Sequence, residues 1–343
     1  MGKYASVDCG KYNTKCAYYD PVTGKPGKFK FRTKMSPGTF DDDMFGKNTF
    51  IVQVDDGEVM KIGNEAKQEP ELETSKKSEI HRICTLAAFA MEAGESTTEP
   101  INAVIGIPLQ ICDITEERLS YKNFIYGGES EQHTVRIKMS CDGPVREINF
   151  SFGKRFVYPE GIGVLYEFPS RLDGATAILD IGNLNTNNLY CNHFLVNYES
   201  CFSTELGGKP LISSLSQVLT AELGSRCDDN LTASLLLKPY ESRFLVPVNG
   251  NKEIQERSRA IVDRHLMEHV QQIKRMCDTR HWPLDFMNVV CIGGTAKLLT
   301  REIKAVFGEN AFIPDCPEFV NANGFLKRLL ATDGIDMTAG ENK

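Results

Sequence analysis

The chain has 343 residues, of which 41% are hydrophobic and 25% are charged, as is typical of a soluble globular protein. This length favours two domains over a single small core. Lysine and arginine total 39 against 46 acidic residues, which gives a net charge of −7. Such a surface repels the phosphates of nucleic acids at long range, so direct DNA binding by the whole surface is disfavoured.

The cysteines and the N-terminal sequence indicate a reducing compartment. The 11 cysteines are irregularly spaced and include no C-x-x-C pair, which argues against a disulfide framework and against a zinc site. The sequence has no signal-peptide apolar core and no apolar run as long as a membrane span. We therefore predict a cytoplasmic protein that does not enter a membrane.

The first half of the chain alternates strand and helix patterns. A β-prone run over residues 4–7 ends at Asp8-Cys9-Gly10, and strand character resumes over 14–19. Periodicities of two and 3.6 residues predict the remaining elements. These are strands over 29–31, 50–54, 103–107, 134–139 and 148–152, and helices over 76–92 and 115–121.

A second unit is predicted to start near Gly161. An apolar run over 177–179 ends at Asp180-Ile181-Gly182, and strand character resumes over 189–196. Further on we predict helices over 210–223 and 251–277, a buried strand over 289–292, a helix through 307, a strand near 312, a helix over 324–330, and a polar, frayed tail over 333–343. The repeat of a strand, an Asp-x-Gly turn and a second strand predicts two related α/β domains that face one another.

The two Asp-x-Gly turns suit the binding of a metal–triphosphate. Glycine lets the backbone approach phosphates, and successive N–H groups form a concavity that binds anions. Mg²⁺ keeps several waters and is usually held by one or two carboxylates and by phosphate oxygens, so Asp8 and Asp180 are predicted to support Mg²⁺ through water. Lys15 can reach back to the phosphates from the returning strand. One such turn alone is consistent with an ordinary hairpin, whereas two copies indicate a site.

A third element follows the predicted strand 289–292. An apolar strand that ends in Gly293-Gly294 before a helix suits the close approach of an adenosine or a phosphate to the helix N-terminus. A structural turn is the alternative interpretation of this glycine pair. The sequence contains no G-x-x-x-x-G-K-[ST] motif, so the P-loop class is excluded.

The order of these motifs resembles the superfamily of actin, sugar kinases and heat-shock chaperone ATPases. Four segments resemble its first phosphate loop, its second phosphate loop, its adenosine motif and the start of its connecting helix: 8–15, 180–187, 292–295 and 319–324. Segments 157–166 and 204–210 are similar to the plasmid-segregation actins of the ParM type. Together the resemblance spans almost the whole chain.

The resemblance implies a two-domain actin-like α/β fold, a duplicated ribonuclease H-like fold with the nucleotide in the interdomain cleft. It implies a first domain of residues 1–162 plus 324–343 and a second domain of residues 163–323. It also implies that Glu160 and Asp180 are catalytic, with Glu160 positioning or activating the attacking water. The implied nucleotide- and phosphate-binding residues are Asp8, Gly10, Asn13, Thr14, Lys15, Gly182, Asn183, Asn185, Thr186, Gly207, Gly208, Gly293, Gly294 and Thr295.

The second loop departs from the family pattern D-x-G-G-x-T-x-D. This chain has Asn183 in place of the second glycine and Asn187 in place of the last aspartate. Asparagine tolerates the left-handed conformation, so we expect the turn to form. The missing carboxylate alters the contacts to phosphate and metal, and we expect hydrolysis with a changed rate or nucleotide preference.

The resemblance implies a filament-forming protein that binds ATP or GTP with Mg²⁺, polymerises head to tail and hydrolyses the nucleotide to destabilise the polymer. It implies attachment to plasmid DNA only indirectly, through a ParR-type centromere-binding adaptor. A small-molecule kinase of the same fold is the main alternative. A chaperone-like ATPase and a cell-shape actin are others, but no peptide-binding domain follows and no amphipathic membrane helix is present.

Three further signals have ordinary explanations. The basic side chains of residues 25–34 follow a period of two, which is typical of the solvent face of a hairpin. The string His265-Leu266-Met267-Glu268-His269 matches a metalloprotease motif, but both histidines border the apolar stripe of a predicted helix and no third ligand is evident. Trp282 is predicted to serve in packing or in a contact surface.

Overall fold

A computed structural model describes residues 3–20, 23–71, 76–129, 131–246, 250–309 and 311–335. The chain forms two compact units. Unit 1 comprises the described residues up to Phe168 and from Phe319 onward, and unit 2 is Pro169–Glu318. The predicted domain boundaries, after residues 162 and 323, stay a prediction. Among the described residues, no helix combines the length and apolarity needed to cross a membrane.

Unit 1 is built on one large mixed sheet. Its strands are β1 (Tyr4–Cys9), β2 (Asn13–Asp20), β3 (Lys25–Arg32), β4 (Met35–Pro37), β5 (Thr49–Val54), β6 (Met60–Gly63), β7 (Ile101–Ile107), β8 (Gln132–Lys138) and β9 (Val145–Pro159). The helices that precede unit 2 are α1 (Glu79–Ala93), α2 (Leu109–Cys112), α3 (Thr115–Tyr126) and α4 (Gly163–Glu167).

The strands of this sheet lie in the order β3-β2-β1-β7-β9-β8-β5-β6-β4. β1 pairs antiparallel with β2 and parallel with β7, and β7 pairs parallel with β9. Every residue of β1 is buried, as expected for a central strand with both faces covered. The carboxyl ends of β1, β7 and β9 therefore meet at one edge of the sheet, where Asp8 and Glu160 lie.

Several element ends of unit 1 differ from the sequence-based prediction, and two of them lie next to Glu160. Helix α1 was predicted from residue 76 but begins at Glu79, with Ser78 as its N-cap, because the Lys76 ammonium is held by an acidic partner outside the helix. Strand β9, predicted over 148–152, continues to Pro159, because pairing with β7 extends it beyond its alternating apolar segment.

Unit 2 contains a smaller sheet and a layer of helices. Its strands are β10 (Ala175–Ile181), β11 (Thr186–Asn192), β12 (Leu195–Val196), β13 (Phe202–Thr204) and β14 (Asn288–Ile292). Its helices are α5 (Gly208–Leu223), α6 (Asp229–Leu236), α7 (Lys252–Thr279), α8 (Gly294–Leu298) and α9 (Thr300–Phe307). The sheet order is β12-β11-β10-β14, and β13 pairs with β11. The strand predicted near residue 312 is a single parallel bridge between Val290 and Phe312.

Helix α7 supplies much of the core of unit 2. Asn251 caps its N-terminus by accepting hydrogen bonds from the backbone of Glu253 and Ile254, which satisfies N–H groups that lack intrahelical partners. Its apolar stripe packs with Leu179 of β10 and with Trp282, which is buried. Trp282 contacts the rings of β11 and β13 edge-on, so it serves in packing.

Helix α10 (Val320–Ala331) returns the chain to unit 1. Gly324 of α10 lies against Gly163 of α4, and a Cβ at Gly324 would be 2.0 Å from the Gly163 carbonyl oxygen. This contact allows α10 to lie directly beside the segment that follows β9. Of the polar tail predicted to be frayed, residues 336–343 lie outside the described residues.

Candidate functional site

The Asp8 loop is a tight hairpin at the buried end of β1. The Gly10 N–H donates to the carbonyl oxygens of Asp8 at 3.2 Å and Asn13 at 3.0 Å. A Cβ at Gly10 would lie 3.2 Å from both the Asn13 carbonyl oxygen and the Lys15 Nζ. The Thr14 side chain is fully buried, and its hydroxyl pairs with that of Thr33 at 2.9 Å. The turn therefore closes on its own backbone, while Thr14 ties β2 to the neighbouring segment.

Two lysines surround the Asp8 carboxylate. Lys15, directly across the hairpin, donates to Asp8 Oδ2 at 2.9 Å. The Lys76 ammonium lies 3.9 Å from Asp8 Oδ1. Burial alone would raise the pKa of Asp8, but the charges of Lys15 and Lys76 outweigh it and lower that pKa. Asp8 is therefore an ionised carboxylate at neutral pH.

Glu160 follows β9 directly and is fixed from two sides. Its N–H donates to the Ile107 carbonyl oxygen of β7 at 2.9 Å. The next residue, Gly161, has a φ of 92° and donates its N–H to Asn321 Oδ1 of α10 at 2.9 Å. The Glu160 side chain is 13% exposed and forms an ion pair with Lys76. Unit 1 thus brings Asp8, Lys76 and Glu160 together at one edge of its sheet.

The Asp180 loop repeats the backbone of the Asp8 loop. Asp180 lies across from Asn187, as Asp8 lies across from Lys15. The Gly182 N–H donates to the Asn185 carbonyl oxygen at 2.9 Å, the counterpart of the bond from Gly10 to Asn13. Thr186, like Thr14, is fully buried, and its hydroxyl donates to the Leu206 carbonyl oxygen at 2.6 Å.

Asparagine replaces the second glycine of this loop without a special backbone conformation. The described non-glycine residues with positive φ all lie elsewhere in the chain, so the turn forms without the left-handed conformation that asparagine tolerates. The Asn183 carbonyl oxygen accepts a hydrogen bond from the Lys209 N–H at 2.6 Å. This contact with the start of α5 closes the loop.

The two predicted glycine turns of unit 2 converge on the carbonyl oxygen of Gly182. This oxygen accepts from the Gly208 N–H at 3.1 Å and from the Thr295 hydroxyl at 2.7 Å. A Cβ at Gly207 would lie 2.4 Å from the carbonyl carbon of Leu184, so only glycine fits there. The starts of α5 and α8 are thereby held against the Asp180 loop.

Of the two glycines before α8, Gly293 is the one at which a side chain would not fit. Its φ is 90°, and a Cβ there would lie 2.4 Å from the Ile181 carbonyl oxygen and 2.7 Å from Asp180 Oδ1. The adjacent Gly294 has no atom within 4 Å of such a Cβ. The first glycine is therefore required by the backbone and by the closeness of Asp180, and the second leaves open space at the helix start.

Comparison with known proteins agrees with this duplicated architecture. The sequence profile described as actin like proteins N terminal domain matches residues 6–163. This segment therefore resembles the N-terminal domain of actin-like proteins. Among curated proteins, a sequence search finds no match.

Three solved structures resemble the chain over nearly its full length. An archaeal actin homolog, Ta0583, in complex with ADP is 18% identical, with 95% of this chain and 98% of that chain covered and a TM-score of 0.68. The Alp12 filament structure is 21% identical (97% and 99% covered, TM-score 0.68). A 15-stranded ParM filament from Clostridium botulinum is 16% identical (96% and 99% covered, TM-score 0.70). The predicted two-domain actin-like fold is confirmed by these structures.

Sequence reasoning missed Lys76, the residue that joins the two acidic side chains of unit 1. Lys76 and Lys77 are adjacent and chemically identical in the sequence, yet the Lys76 side chain is 4% exposed and the Lys77 side chain 25%. Lys77 pairs with Glu117 of α3 instead. Since Glu160 is 84 positions away from Lys76, no local pattern signals the contact.

The basic run and the two histidines of α7 have contacts within the protein. In the basic run, the Lys28 and Lys30 ammonium groups lie over the ring of Phe319 at 5.0 and 5.6 Å. On α7, His265 Nε2 is 2.8 Å from the Ser214 hydroxyl, and burial lowers the pKa of His269 to about 4. Within the described part of the chain, no group of three or more His, Cys, Asp or Glu residues is placed to hold a metal ion.

Proposed function

We propose that the chain is an actin-like protein that binds and hydrolyses ATP or GTP, and that Asp8, Asp180 and Glu160 carry the chemistry. The observation that carries the proposal is the repeated hairpin, because each copy ends a buried strand at an aspartate next to a glycine turn. The ADP bound by the archaeal actin homolog supports nucleotide binding by this fold.

The phosphates are bound by backbone N–H groups of the two loops and by the Lys15 ammonium. Asp8 and Asp180 are both buried and supply carboxylate oxygens, the donors that Mg²⁺ prefers in proteins, so the residues fit this ion. Each of these carboxylates could hold Mg²⁺ through water, and the ion would neutralise phosphate charge. The Gly207-Gly208 and Gly293-Gly294-Thr295 turns complete the nucleotide-binding set.

Glu160 orients the attacking water. The water oxygen bonds to the terminal phosphorus, the bond from that phosphorus to the bridging oxygen breaks, and the products are the nucleoside diphosphate, inorganic phosphate and a proton. Positioning and charge neutralisation supply most of the acceleration in such reactions. Glu160 suits this role because its backbone is fixed by β7 and α10 and its carboxylate is near Asp8 through Lys76.

We further propose that nucleotide binding drives head-to-tail assembly into filaments that segregate plasmid DNA through a ParR-type adaptor. Heterologous contacts that do not close give open filaments. The Alp12 and Clostridium botulinum ParM filaments support self-association of this fold. The net charge of −7 favours indirect attachment to DNA over direct binding.

Light scattering of the purified protein tests the proposal. Scattering should rise after addition of ATP or GTP with Mg²⁺, and should fall as phosphate is released. Glu160→Gln keeps the side-chain shape and removes the charge, so polymers should form and persist while phosphate release slows by about 100-fold or more.

Two results would contradict the proposal. Turnover without a scattering change would exclude the filament and favour a small-molecule kinase of the same fold. Phosphate release by Glu160→Gln at the parental rate would show that Glu160 does not orient the water.

A further inference from the structure

Lys76 joins two carboxylates that the proposed function assigns to the reaction. Its ammonium forms an ion pair with Glu160 and lies 3.9 Å from Asp8 Oδ1. The other Asp8 oxygen accepts from Lys15 at 2.9 Å. A continuous chain of charges therefore runs from Lys15 through Asp8 and Lys76 to Glu160, all within unit 1.

The surroundings of Lys76 are those of a core residue. The Lys76 side chain is 4% exposed. The buried phenol of Tyr121 and the buried thiol of Cys9 also lie close enough to influence the pKa of Lys76. Burial would lower the pKa of Lys76, but Glu160 and Asp8 outweigh it and raise that pKa. Lys76 is therefore charged at neutral pH, even though a buried ammonium is costly.

Two other lysines show that this arrangement is specific. Lys77, the next residue, is 25% exposed and pairs with Glu117 on the surface of α3. Lys138 is also buried, but its ammonium donates to the carbonyl oxygens of Phe40 and Asp42. Lys76 thus combines the burial of Lys138 with two carboxylate partners at the candidate site.

A buried ion pair adds little stability compared with apolar side chains of the same volume, so packing alone does not account for this lysine. We propose that Lys76 is a positioning residue, whose ammonium holds the Glu160 carboxylate in one orientation and couples it to Asp8. This inference rests on the proposed hydrolysis. The backbone of Glu160 is fixed by its bond to Ile107, whereas its side chain has three rotatable bonds, and Lys76 restricts them.

The expected signature is a loss of rate without a loss of nucleotide binding. Lys76 lies outside both hairpin loops, and Lys15 still pairs with Asp8 at 2.9 Å when Lys76 is replaced, so we expect the phosphate contacts to stay intact. Misplacement of a water-orienting group by about 1 Å can cost on the order of 100-fold in rate. Lys76→Met should therefore lower kcat by roughly 10- to 100-fold and should leave the Kd for a non-hydrolysable ATP or GTP analogue within about twofold.

Matched variants separate positioning from stability. Lys77→Met removes the neighbouring surface lysine, and Lys138→Met removes the other buried lysine. Both should keep the parental kcat per folded molecule, and Lys138→Met should be destabilised. Lys76→Arg keeps the charge and should recover part of the rate that Lys76→Met loses. Equal kcat values for Lys76→Met and Lys138→Met would overturn the proposal.

A double-mutant cycle with Glu160→Gln tests whether Lys76 acts through Glu160. In the Glu160→Gln background, Lys76→Met should lower kcat by less than about twofold, because the side chain that it positions has already lost its function. A full additional loss would overturn the proposal. If Lys76→Met fails to fold, Lys76→Gln takes its place in the same cycle. Absence of turnover in the parental protein would refute the proposed function, whereas parental turnover unchanged by Lys76→Met would refute this inference alone.

Discussion

The two Asp-Gly hairpins share a backbone and differ in what surrounds their aspartates. Lys15 lies across from Asp8 and donates to its carboxylate at 2.9 Å. Asn187 lies across from Asp180, and its side-chain oxygen accepts from the Ser203 hydroxyl at 2.6 Å. A cation, Lys15, therefore lies across the hairpin from Asp8, whereas a neutral amide, Asn187, lies across from Asp180. The Asn187 amide is already bonded within the sheet of unit 2.

The neighbouring backbone approaches the aspartate carboxylate more closely in unit 2 than in unit 1. In unit 2, a Cβ at Gly293 would lie 2.7 Å from Asp180 Oδ1. In unit 1, a Cβ at Gly106 of β7 would lie 3.4 Å from Asp8 Oδ1, an ordinary contact. The Asp8 carboxylate therefore lies beside two cations, and the Asp180 carboxylate lies against a position where only glycine fits. We infer that unit 1 concentrates the charged chemistry and unit 2 provides a backbone cradle.

We expect the largest loss of stability from Gly293→Ala, which disrupts the close packing around Asp180 in unit 2. The new methyl group would meet the Ile181 carbonyl oxygen at 2.4 Å, and φ is 90°. Strain from the backbone angle and the overlap should together lower the free energy of unfolding by about 2–4 kcal/mol. Urea denaturation measures this loss, and binding of a fluorescent nucleotide analogue should weaken with it.

Gly294→Ala and Gly106→Ala are the matched controls for this comparison. A Cβ at Gly294 meets no atom within 4 Å, and one at Gly106 meets Phe325 at 3.3 Å. Each should change the free energy of unfolding by less than about 1 kcal/mol. If Gly106→Ala costs as much as Gly293→Ala, then the two units do not differ in the way that we infer.

Lys15→Asn, which gives unit 1 a neutral amide like that of unit 2, should have the next largest effect. Asp8 is 5% exposed and keeps Lys76 at 3.9 Å. Removal of one of two cations from a buried carboxylate should lower the free energy of unfolding at pH 7 by about 1–3 kcal/mol. Lys77→Asn, at a more exposed pair, should cost less than about 1 kcal/mol.

The pH dependence of this loss identifies its origin. The charges of Lys15 and Lys76 outweigh the effect of burial and lower the folded-state pKa of Asp8. A lowered pKa stabilises the folded state above the unfolded value, and that stabilisation is lost as the pH falls through the folded value. The difference between the parental protein and Lys15→Asn should therefore shrink below about pH 4. A difference that is constant between pH 3 and 7 would exclude charge as its cause.

Local patterns in the sequence predicted the hairpins because strand periodicity and the Asp-x-Gly turn lie within a few residues of each other. They did not predict which side chains turn inward. Thr14 and Thr186 were predicted to bind phosphate, yet both are fully buried with hydroxyl partners inside their units. Their assignment as phosphate ligands stays a prediction that concerns their backbone N–H groups.

Local sequence patterns could not predict contacts between segments that are distant in the chain. Lys76 meets Glu160 across 84 positions, and Gly163 meets Gly324 between two helices. The start of α1 was predicted too early for the same reason, since an apolar stripe does not show that Lys76 leaves the helix to pair elsewhere. Such contacts depend on which strand ends share an edge of the sheet.

The smallest expected effect concerns the feature that both hairpins share. Thr14→Val leaves the Thr33 hydroxyl without its partner at 2.9 Å, and Thr186→Val leaves the Leu206 carbonyl oxygen without its partner at 2.6 Å. Thr14→Val also removes the contact of the Thr14 hydroxyl with the Cys9 thiol at 3.2 Å. Loss of these buried hydrogen bonds should lower the free energy of unfolding by about 1–2 kcal/mol in each variant, with the larger loss in Thr14→Val.

Turnover distinguishes a structural threonine from a ligand in these two variants. Valine has nearly the shape of threonine and keeps the backbone N–H, so kcat and the nucleotide Kd should stay within about twofold of the parental values. A loss of nucleotide affinity of about tenfold in Thr186→Val alone, equivalent to 1.4 kcal/mol, would mean that the second hairpin uses its hydroxyl on the ligand. In that case the two loops would differ in chemistry at this position as well as at their aspartates.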